Sequence, residues 1–145
     1  VDIGSSFLPS DVIAAFLWAQ IENLENIQSR RNQIWKIYNQ ALNTWAIEQN
    51  IQLPNIPNFA TNNAHMFYLV CKNIEQRNKL ILHLKRNQVS AVFHYLSLHK
   101  SEFYHKKHDG RNLRQTDIYS DCLIRLPLFY ELDPTEVLKN ILTFN

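Results

Sequence analysis

Residues 10–45 read SDVIAAFLWAQIENLENIQSRRNQIWKIYNQALNTW, a stretch that contains no glycine and no proline. Its apolar residues recur at three- and four-residue steps, the spacing of one helix face, and Ser10 or Asp11 can cap the N-terminus. A helix from Asp11 to Trp45 would be about 50 Å long, against a radius of gyration of roughly 15 Å for a compact domain of this size. The stretch therefore predicts one long helix within residues 1–50, which must protrude, kink or serve a partner. The apolar series comprises Leu17, Ile21, Leu24, Ile27, Ile34, Tyr38, Leu42 and Trp45.

The two ends of this predicted helix differ in character. Residues 12–19, VIAAFLWA, place apolar atoms on every side of the axis, whereas a surface helix keeps a polar face. We therefore expect the first turns to be buried against a body that this chain does not supply. The polar middle of the helix, which includes Arg30 and Arg31, is typical of a solvated face, so these two arginines are expected to point into water.

The remaining residues, 64–145, predict a small α+β unit after a connector rich in proline and asparagine. Residues 65–71 are aromatic and β-branched and predict a strand, and residues 89–95 predict a second one. Between them Asn73 can cap a helix that turns Leu80, Ile81 and Leu84 inward, which makes a β-α-β unit. The fold class is thus α+β, a long N-terminal helix leading into a small β-α-β sheet with helices at its C-terminal end.

The end of the chain predicts three further elements. Residues 96–115 form a long basic loop, and a short helix follows near residues 116–122. A strand is predicted within residues 123–129. The run Asp133-Pro134-Thr135-Glu136 combines a cap, a proline at the first helical position and a glutamate at the third, so a last helix begins there.

Composition limits the class of protein. The chain has 145 residues, 46% of them hydrophobic, which is enough for a single domain spanning 1–145 but not for two. A net charge of +2 is too small to indicate a nucleic-acid partner. No apolar run approaches the roughly 20 residues that cross a bilayer, and Cys71 and Cys122 belong to no CxxC pair. We expect a cytoplasmic protein without nucleic-acid or membrane partners and with two buried thiols. Because Val1 is not an initiator methionine and no signal-peptide pattern follows it, we also expect a piece of a longer chain.

Few residues carry recognisable chemistry. His94 and His99 lie at the end of a predicted strand and in the loop after it, where binding residues often gather on a rigid scaffold. His105 and His108 with Asp109 could ligate a metal only if a third ligand arrived, so a solvated basic loop is the favoured interpretation and no metal site is predicted. That loop's lysines and arginines could meet phosphate groups, although surface charge is the commoner explanation.

The serine pair after Gly4 is a further candidate. Ser5 and Ser6 precede a capped helix, so hydroxyls, backbone N–H groups and a helix N-terminus could converge on an anion. A simple capping turn explains the same residues equally well.

Four motifs in matching order resemble the C-terminal part of the DegT/DnrJ/EryC1/StrS sugar aminotransferases, and the resemblance extends over nearly the whole chain. The resemblance implies a fold type I enzyme that uses pyridoxal phosphate, takes an amino group from glutamate and delivers it to a 4-keto sugar nucleotide. The motifs are residues 4–11 with 14–15 and 18–22, residues 63–68, residues 92–99, and residues 125–130.

The resemblance also implies roles for individual residues. In this family the Schiff-base lysine and the aspartate facing the pyridine nitrogen lie upstream of the matched segment. The fragment is therefore expected to contain no catalytic residue, to be inactive alone and not to bind the cofactor stably. The glycine turn with Ser5 and Ser6 would contact the cofactor phosphate of the neighbouring subunit in a homodimer, with Ser6 where the family usually has asparagine. His94, Tyr95 and His99 match the family's HYPxPLH loop and would lie on the substrate side.

Two departures from the family pattern and one alternative function remain. Leu96 and Ser97 replace the loop's more common residues, and residues 113–117, LRQTD, depart from the usual Leu-Pro-x-Thr-Glu. The alternative to an aminotransferase domain is a helical interaction or dimerisation module that kept the fold and lost the chemistry.

Overall fold

A computed structural model of the protein describes residues 8–144. In this part of the chain, helices and a small sheet are combined, which confirms the α+β class. A short 3₁₀ helix at Leu98–Lys100 lies in the basic loop. The elements in chain order are α1 (Asp11–Glu22), α2 (Leu24–Ala41), α3 (Asn43–Glu48), β1 (Phe67–Val70), α4 (Ile74–Arg86), α5 (Arg114–Cys122), β2 (Leu123–Leu126) and α6 (Pro134–Leu142).

The long predicted helix is divided at Asn23 and Leu42, which agrees with the kink that its length left open. At Asn23 the backbone N–H donates to the carbonyl of Gln20 at 3.2 Å, and the side-chain Nδ2 donates to the carbonyl of Ala19 at 3.0 Å. Asparagine interrupts helices in this way because its side chain competes for backbone partners. At Leu42 the backbone turns again, with ψ near −5°, and α3 begins.

The sheet differs from the predicted β-α-β unit. β1 and β2 are antiparallel, with Phe67 opposite Leu126 and Val70 opposite Leu123. Residues 89–95 do not form the predicted strand, and only Val92 joins the sheet, through a single antiparallel bridge to Arg125. Because β1 and Val92 are both antiparallel to β2, they run parallel to each other with β2 between them. The predicted β-α-β unit would make β1 and the segment at Val92 neighbours in the sheet, but β2 lies between them.

The three helix starts for which the sequence predicted a cap follow the expected chemistry. Ser10 accepts from the N–H of Ile13, and Asn73 Oδ1 accepts from the N–H of Gln76 at 2.9 Å. Asp133 caps α6, and its carboxylate accepts from Thr135. Each side chain satisfies an N–H group that the first turn of a helix leaves without a partner.

The core lies between α2, the sheet, α4 and α6. The ring of Phe67, completely buried, is 5.4 Å from that of Trp35 and 5.2 Å from that of Tyr38. The Tyr38 hydroxyl donates to the carbonyl of Pro127 at 3.0 Å, and burial raises the pKa of this phenol. Part of the predicted apolar series is buried, namely Ile34, Tyr38, Leu42, Trp45, Leu80 and Leu84. Ile27 and Ile81 are half-buried, and Leu17, Ile21 and Leu24 are exposed.

Arg30 and Arg31 do not point into water, which corrects the interpretation of this face as solvated. Arg31 donates through Nε to the carbonyl of Ala64 at 3.1 Å, through Nη1 to that of Leu128 at 3.3 Å, and through Nη2 to that of His65. Arg30 donates to two carbonyls in the loop before α6. The two guanidinium groups thus join α2 to the segment just before β1 and to the segment that follows β2.

The thiols of Cys71 and Cys122 are free and buried, as predicted. They lie opposite each other at the end of the β1–β2 ladder, where the N–H of Cys71 donates to the carbonyl of Cys122 at 2.9 Å. Burial raises the pKa of the Cys71 thiol to about 12. At neutral pH this group is therefore a small apolar core side chain.

The first helix is uncovered. No residue of α1 is buried, and Phe16 and Trp18 each expose about two thirds of their surface, 69% and 65%. The described residues thus provide no body for these apolar side chains to pack against. Between residues 8 and 144, no helix has the length and hydropathy that crossing a membrane requires.

Candidate functional site

The segment that follows α4 is held to the sheet by two separate contacts before it reaches the candidate residues. Val92 exchanges two backbone hydrogen bonds with Arg125, at 3.2 and 2.7 Å. The guanidinium of Arg77 lies 4.9 Å from the centre of the Phe93 ring, a cation–π distance, while its Nε donates to the carbonyl of Asp121 at 2.9 Å. These contacts position a short stretch of chain that has no strand structure of its own.

His94 and Tyr95 come next and form one unit. Their rings are stacked, with centres 4.4 Å apart and planes 17° from parallel. The Arg125 Nη1 group donates to His94 Nδ1 at 2.9 Å, and the Ser120 hydroxyl donates to the carbonyl of Tyr95 at 3.1 Å. The Tyr95 side chain is otherwise exposed. The sheet and α5 therefore present a stacked imidazole and phenol at the surface.

This pair lies at one end of an open groove of about 1000 Å³. The groove runs along the C-terminal half of α4 and the segment after it, and its walls are largely apolar. Lys85 contributes a positive charge, and His94 and Tyr95 contribute the aromatic polar groups. Such a combination of apolar walls and a few polar groups is typical of a small-molecule site. Its other lining residues are Ile81, Gln88, Val89, Ser90, Ala91, Val92, Phe93 and Leu96.

A second cluster surrounds the carboxylate of Asp117 in the first turns of α5. Lys100 Nζ lies 2.7 Å from Asp117 Oδ1, and His99 Nε2 lies 3.1 Å from the same oxygen. The hydroxyl of Ser97, a buried residue, is 3.5 Å from it. The hydrogen bond from Lys100 and its positive charge lower the pKa of Asp117 below its ordinary value of 3.8. The carboxylate thus connects both ends of the 3₁₀ helix to α5.

His108 completes this second cluster. Its ring centre is 5.2 Å from that of His99, and its Nδ1 accepts from the N–H of Gly110 at 3.0 Å. Its buried Nε2 has no hydrogen-bond partner among the described residues, since Asp109 Oδ1 is 3.7 Å away. In residues 8–144 no three histidine, cysteine or acidic side chains are arranged to hold a metal ion.

The pKa of Asp117 provides a test of the second cluster. A lowered pKa means that Asp117 contributes stability above about pH 4 and loses this contribution as the pH falls through its folded-state pKa. We expect Lys100→Met to raise the midpoint of the Asp117 carboxylate toward 3.8 in an NMR titration. Lys106→Met, at an exposed position in the same loop, should leave the midpoint unchanged. Equal midpoints in all three proteins would show that Lys100 does not act on Asp117.

The structure brings together some of the candidate residues predicted from the sequence. His94 and Tyr95 are in direct contact, whereas the contacts of His99 are with Asp117 and His108 in the neighbouring cluster. Ser5 and Ser6 lie outside the described residues. In the basic loop, Lys107 stacks over Phe103, so part of that charge is used locally.

The sequence analysis did not predict which residues contact His94, Tyr95 and His99. Arg125 is a half-buried polar residue between the buried Ile124 and Leu126 of β2, and this alternation was the signal that its side chain leaves the core. Asp117 stood out in the sequence only as the last residue of LRQTD, the run that departs from the family pattern. Arg77 and Ser120 had no sequence signal that separated them from ordinary helix-surface residues.

Comparison with known proteins identifies this architecture. A model described as the DegT/DnrJ/EryC1/StrS aminotransferase family matches residues 2–143. Similar solved structures include the aminotransferase TlmJ from Streptoalloteichus hindustanus, with 21% identity over 91% of this chain and 35% of that one, at a TM-score of 0.78. DesV from S. venezuelae, in complex with a ketimine intermediate, has 22% identity over 88% and 34% of the two chains, also at 0.78.

A third solved structure has a similar fold. The sugar aminotransferase CalS13 from Micromonospora echinospora has 12% identity over 87% of this chain and 33% of its own, with a TM-score of 0.74. The chain thus spans about a third of the length of these structures. At such identities the likeness concerns the fold, which is that of one part of an aminotransferase.

Proposed function

The chain belongs to the DegT/DnrJ/EryC1/StrS aminotransferase family, and on this premise we propose that it is the C-terminal part of a pyridoxal-phosphate-dependent sugar-nucleotide transaminase. The enzyme moves an amino group from glutamate to C4 of a dTDP-4-keto-6-deoxy sugar. The observation that carries the proposal is the match of the family model over residues 2–143. The domain boundaries that accompany it are a helical part within residues 1–50 and a small α+β part within residues 64–145.

The proposed substrate rests on a subgroup resemblance. The likeness of the four motifs is greatest to dTDP-4-amino-4,6-dideoxygalactose transaminases, and Ser6, at the position where the family usually has asparagine, resembles the same subgroup. A serine still donates a hydrogen bond to an anion, although it is shorter than asparagine. We therefore propose dTDP-4-keto-6-deoxyglucose as the acceptor.

The lysines of this chain do not fit the aldehyde of the cofactor. A Schiff-base lysine must be enclosed near the cofactor, and a nucleophilic lysine needs a lowered pKa. Every lysine of the chain lies between residues 8 and 144 and is exposed, and hydrogen bonding to Asp117 raises the pKa of Lys100. No step of the amino transfer is therefore assigned to a residue of this chain. We propose that the chain alone is inactive and does not bind the cofactor stably.

The proposed contribution of this chain is binding. Ser5 and Ser6 would contact the cofactor phosphate of a neighbouring subunit, and His94, Tyr95 and His99 would contact the sugar nucleotide. The stacked His94–Tyr95 pair in a large apolar groove supports the second part, because flat aromatic surfaces and a few polar groups suit a nucleotide or sugar ring. Asp117 orients the His99 ring through Nε2.

We propose a homodimer as the active form, in which the uncovered helix α1 is covered by parts of the full-length protein outside this chain. Phe16 and Trp18 are among several large apolar side chains exposed along one short helix, a density that marks an interaction surface. We propose that α1 packs against the rest of the full-length protein or its neighbouring subunit. Sedimentation of the full-length protein as a monomer would contradict the shared site.

An assay of the full-length protein tests the proposed function. Incubated with pyridoxal phosphate, L-glutamate and dTDP-4-keto-6-deoxyglucose, it should form 2-oxoglutarate and a 4-amino sugar nucleotide in equal amounts, measured by chromatography and mass spectrometry. A full-length protein without a cofactor-binding lysine, or without conversion of any keto sugar nucleotide, would favour the alternative of an interaction module, for which exposed α1 is the supporting observation.

A substitution in the groove tests the assignment of His94. In the full-length enzyme, we expect His94→Ala to raise KM for the sugar nucleotide about tenfold, the effect of losing one good hydrogen bond. His105→Ala is the matched control, because His105 is exposed and the hydrogen bonds of its ring, among the described residues, are to backbone carbonyls of its own turn. Equal KM values in the two variants would remove His94 from the substrate site.

A further inference from the structure

Arg125 contacts the candidate site twice, through its backbone and through its side chain. Its backbone forms the single bridge that joins Val92 to the sheet, with hydrogen bonds of 3.2 and 2.7 Å. Its guanidinium Nη1 lies 2.9 Å from Nδ1 of His94, two residues further along the same segment. One residue of β2 therefore attaches Val92 to the sheet and hydrogen-bonds to the imidazole two residues further on.

The chemistry of this pair determines the position of the imidazole proton. A guanidinium carries only donors, so in the Arg125–His94 hydrogen bond the ring nitrogen must be the acceptor. Nδ1 therefore carries a lone pair, and the single proton of the neutral ring lies on Nε2. In this state His94 presents an N–H donor on the side of the ring away from Arg125.

One further contact is to the ring itself, and two others hold the residues on either side of it. Tyr95 stacks on it with a ring-centre distance of 4.4 Å, and the carbonyl of Tyr95 accepts from Ser120 of α5. Phe93, on the other side of His94 in sequence, lies under the guanidinium of Arg77. Among these neighbours, Arg125 hydrogen-bonds to the His94 imidazole.

From this geometry we propose that Arg125 is a positioning residue that holds His94 as the Nε2–H tautomer, so that the groove presents a hydrogen-bond donor to an acceptor oxygen of its ligand. The role of that donor in substrate binding rests on the proposed function, whereas the tautomer and its dependence on Arg125 do not. A carbonyl, hydroxyl or phosphate oxygen of a sugar nucleotide provides such an acceptor. Arg125 itself need not touch the substrate.

The first test is spectroscopic and needs no activity. In the full-length protein labelled with ¹⁵N at its histidine rings, long-range ¹H–¹⁵N correlations above pH 8 distinguish the two tautomers, and loss of one ring system in His94→Gln assigns the signals. We expect His94 to be the Nε2–H tautomer in the unmodified protein. An Nδ1–H tautomer there overturns the proposal without any Arg125 variant.

Variants of Arg125 test whether the tautomer of His94 depends on this residue. Arg125→Met removes every donor, so His94 should change to a mixture of tautomers, while Arg125→Lys keeps a donor and should restore the Nε2–H form. Arg86→Met is the matched control, because Arg86 is an exposed arginine at the end of α4. An unchanged His94 tautomer in Arg125→Met, with the other histidine signals in their original places, overturns the proposal.

Kinetics then separate this inference from the proposed function. In an active enzyme, Arg125→Met should raise KM for the sugar nucleotide about three- to tenfold with little change in kcat, and Arg125→Lys should recover most of the difference. A loss of kcat with KM unchanged would contradict a positioning role in binding. If the full-length protein has no transaminase activity, the proposed function fails, but the tautomer measurements still decide the role of Arg125.

Discussion

Replacing Phe67 with alanine is expected to lower the free energy of unfolding by about 3–5 kcal/mol, the cost of removing a large ring from a packed core. Phe67 is completely buried at the start of β1, and its ring contacts Trp35 and Tyr38 on α2. Because a domain of this size is stable by about 5–15 kcal/mol in total, the substitution removes a large share of its stability. Urea unfolding followed by tryptophan fluorescence measures the change.

Phe59 provides a matched control for this substitution. It is the same residue type in the connector before β1, but its side chain is 93% exposed. Phe59→Ala should therefore change the free energy of unfolding by about 0.5 kcal/mol or less. A cost for Phe67→Ala as small as that for Phe59→Ala would mean that α2 does not pack on β1 as described.

The second large effect is expected at Arg31. Arg31→Met should lower the free energy of unfolding by about 2–4 kcal/mol, because it leaves the carbonyls of Ala64, His65 and Leu128 without their charged donor. Arg31→Lys should lose most of the same energy, since one ammonium group cannot reproduce a planar fork that serves three acceptors. Urea unfolding compares both variants with the unmodified chain.

The control for Arg31 lies on the same helix. Lys36 is exposed on α2, so Lys36→Met removes a positive charge from the helix without removing a described contact. Its effect should stay within about 0.5 kcal/mol. If Arg31→Lys were as stable as the unmodified chain, charge rather than hydrogen bonding to the three carbonyls would be the source of the stability.

Local chemistry in the sequence predicted much of the fold. The caps at Ser10, Asn73 and Asp133 mark helix starts because a side-chain oxygen can satisfy the orphan N–H groups within three residues. The buried positions of α2 follow from helical periodicity, and the first and last strands from short apolar runs bounded by polar ones. These signals act over a few residues, so they can be recognised in the sequence alone.

Two predictions, the strand at residues 89–95 and the solvated Arg30 and Arg31, were wrong because tertiary contacts override local preferences. Residues 89–95 have strand-like composition, but Val92 alone pairs with β2. The next two side chains, Phe93 and His94, interact instead with the guanidinium groups of Arg77 and Arg125, which belong to other elements. The division of the long helix at Asn23 is a local effect, because the Asn23 side chain donates to a carbonyl four residues before it.

The candidate site was predicted only in part. His94 was proposed from its place at the end of a predicted strand and Tyr95 from a resemblance to a sequence motif, and the structure brings them into contact with each other. Their supports were not predicted, because Arg125 is 31 residues from His94 and a residue's type does not indicate which distant atom it will meet. The same holds for Asp117, which collects Lys100 and His99 around one oxygen.

The sequence by itself determined the α+β class, most helix positions, the core face of α2 and the family of the chain. Only the tertiary structure decided that Arg31 binds carbonyls 33, 34 and 97 residues away and that Arg125 binds His94. The physical reason is that periodicity and capping depend on neighbours within one or two turns of the chain. A backbone carbonyl is the same at every residue, so its long-range partner is set by the packing of the elements that carry it.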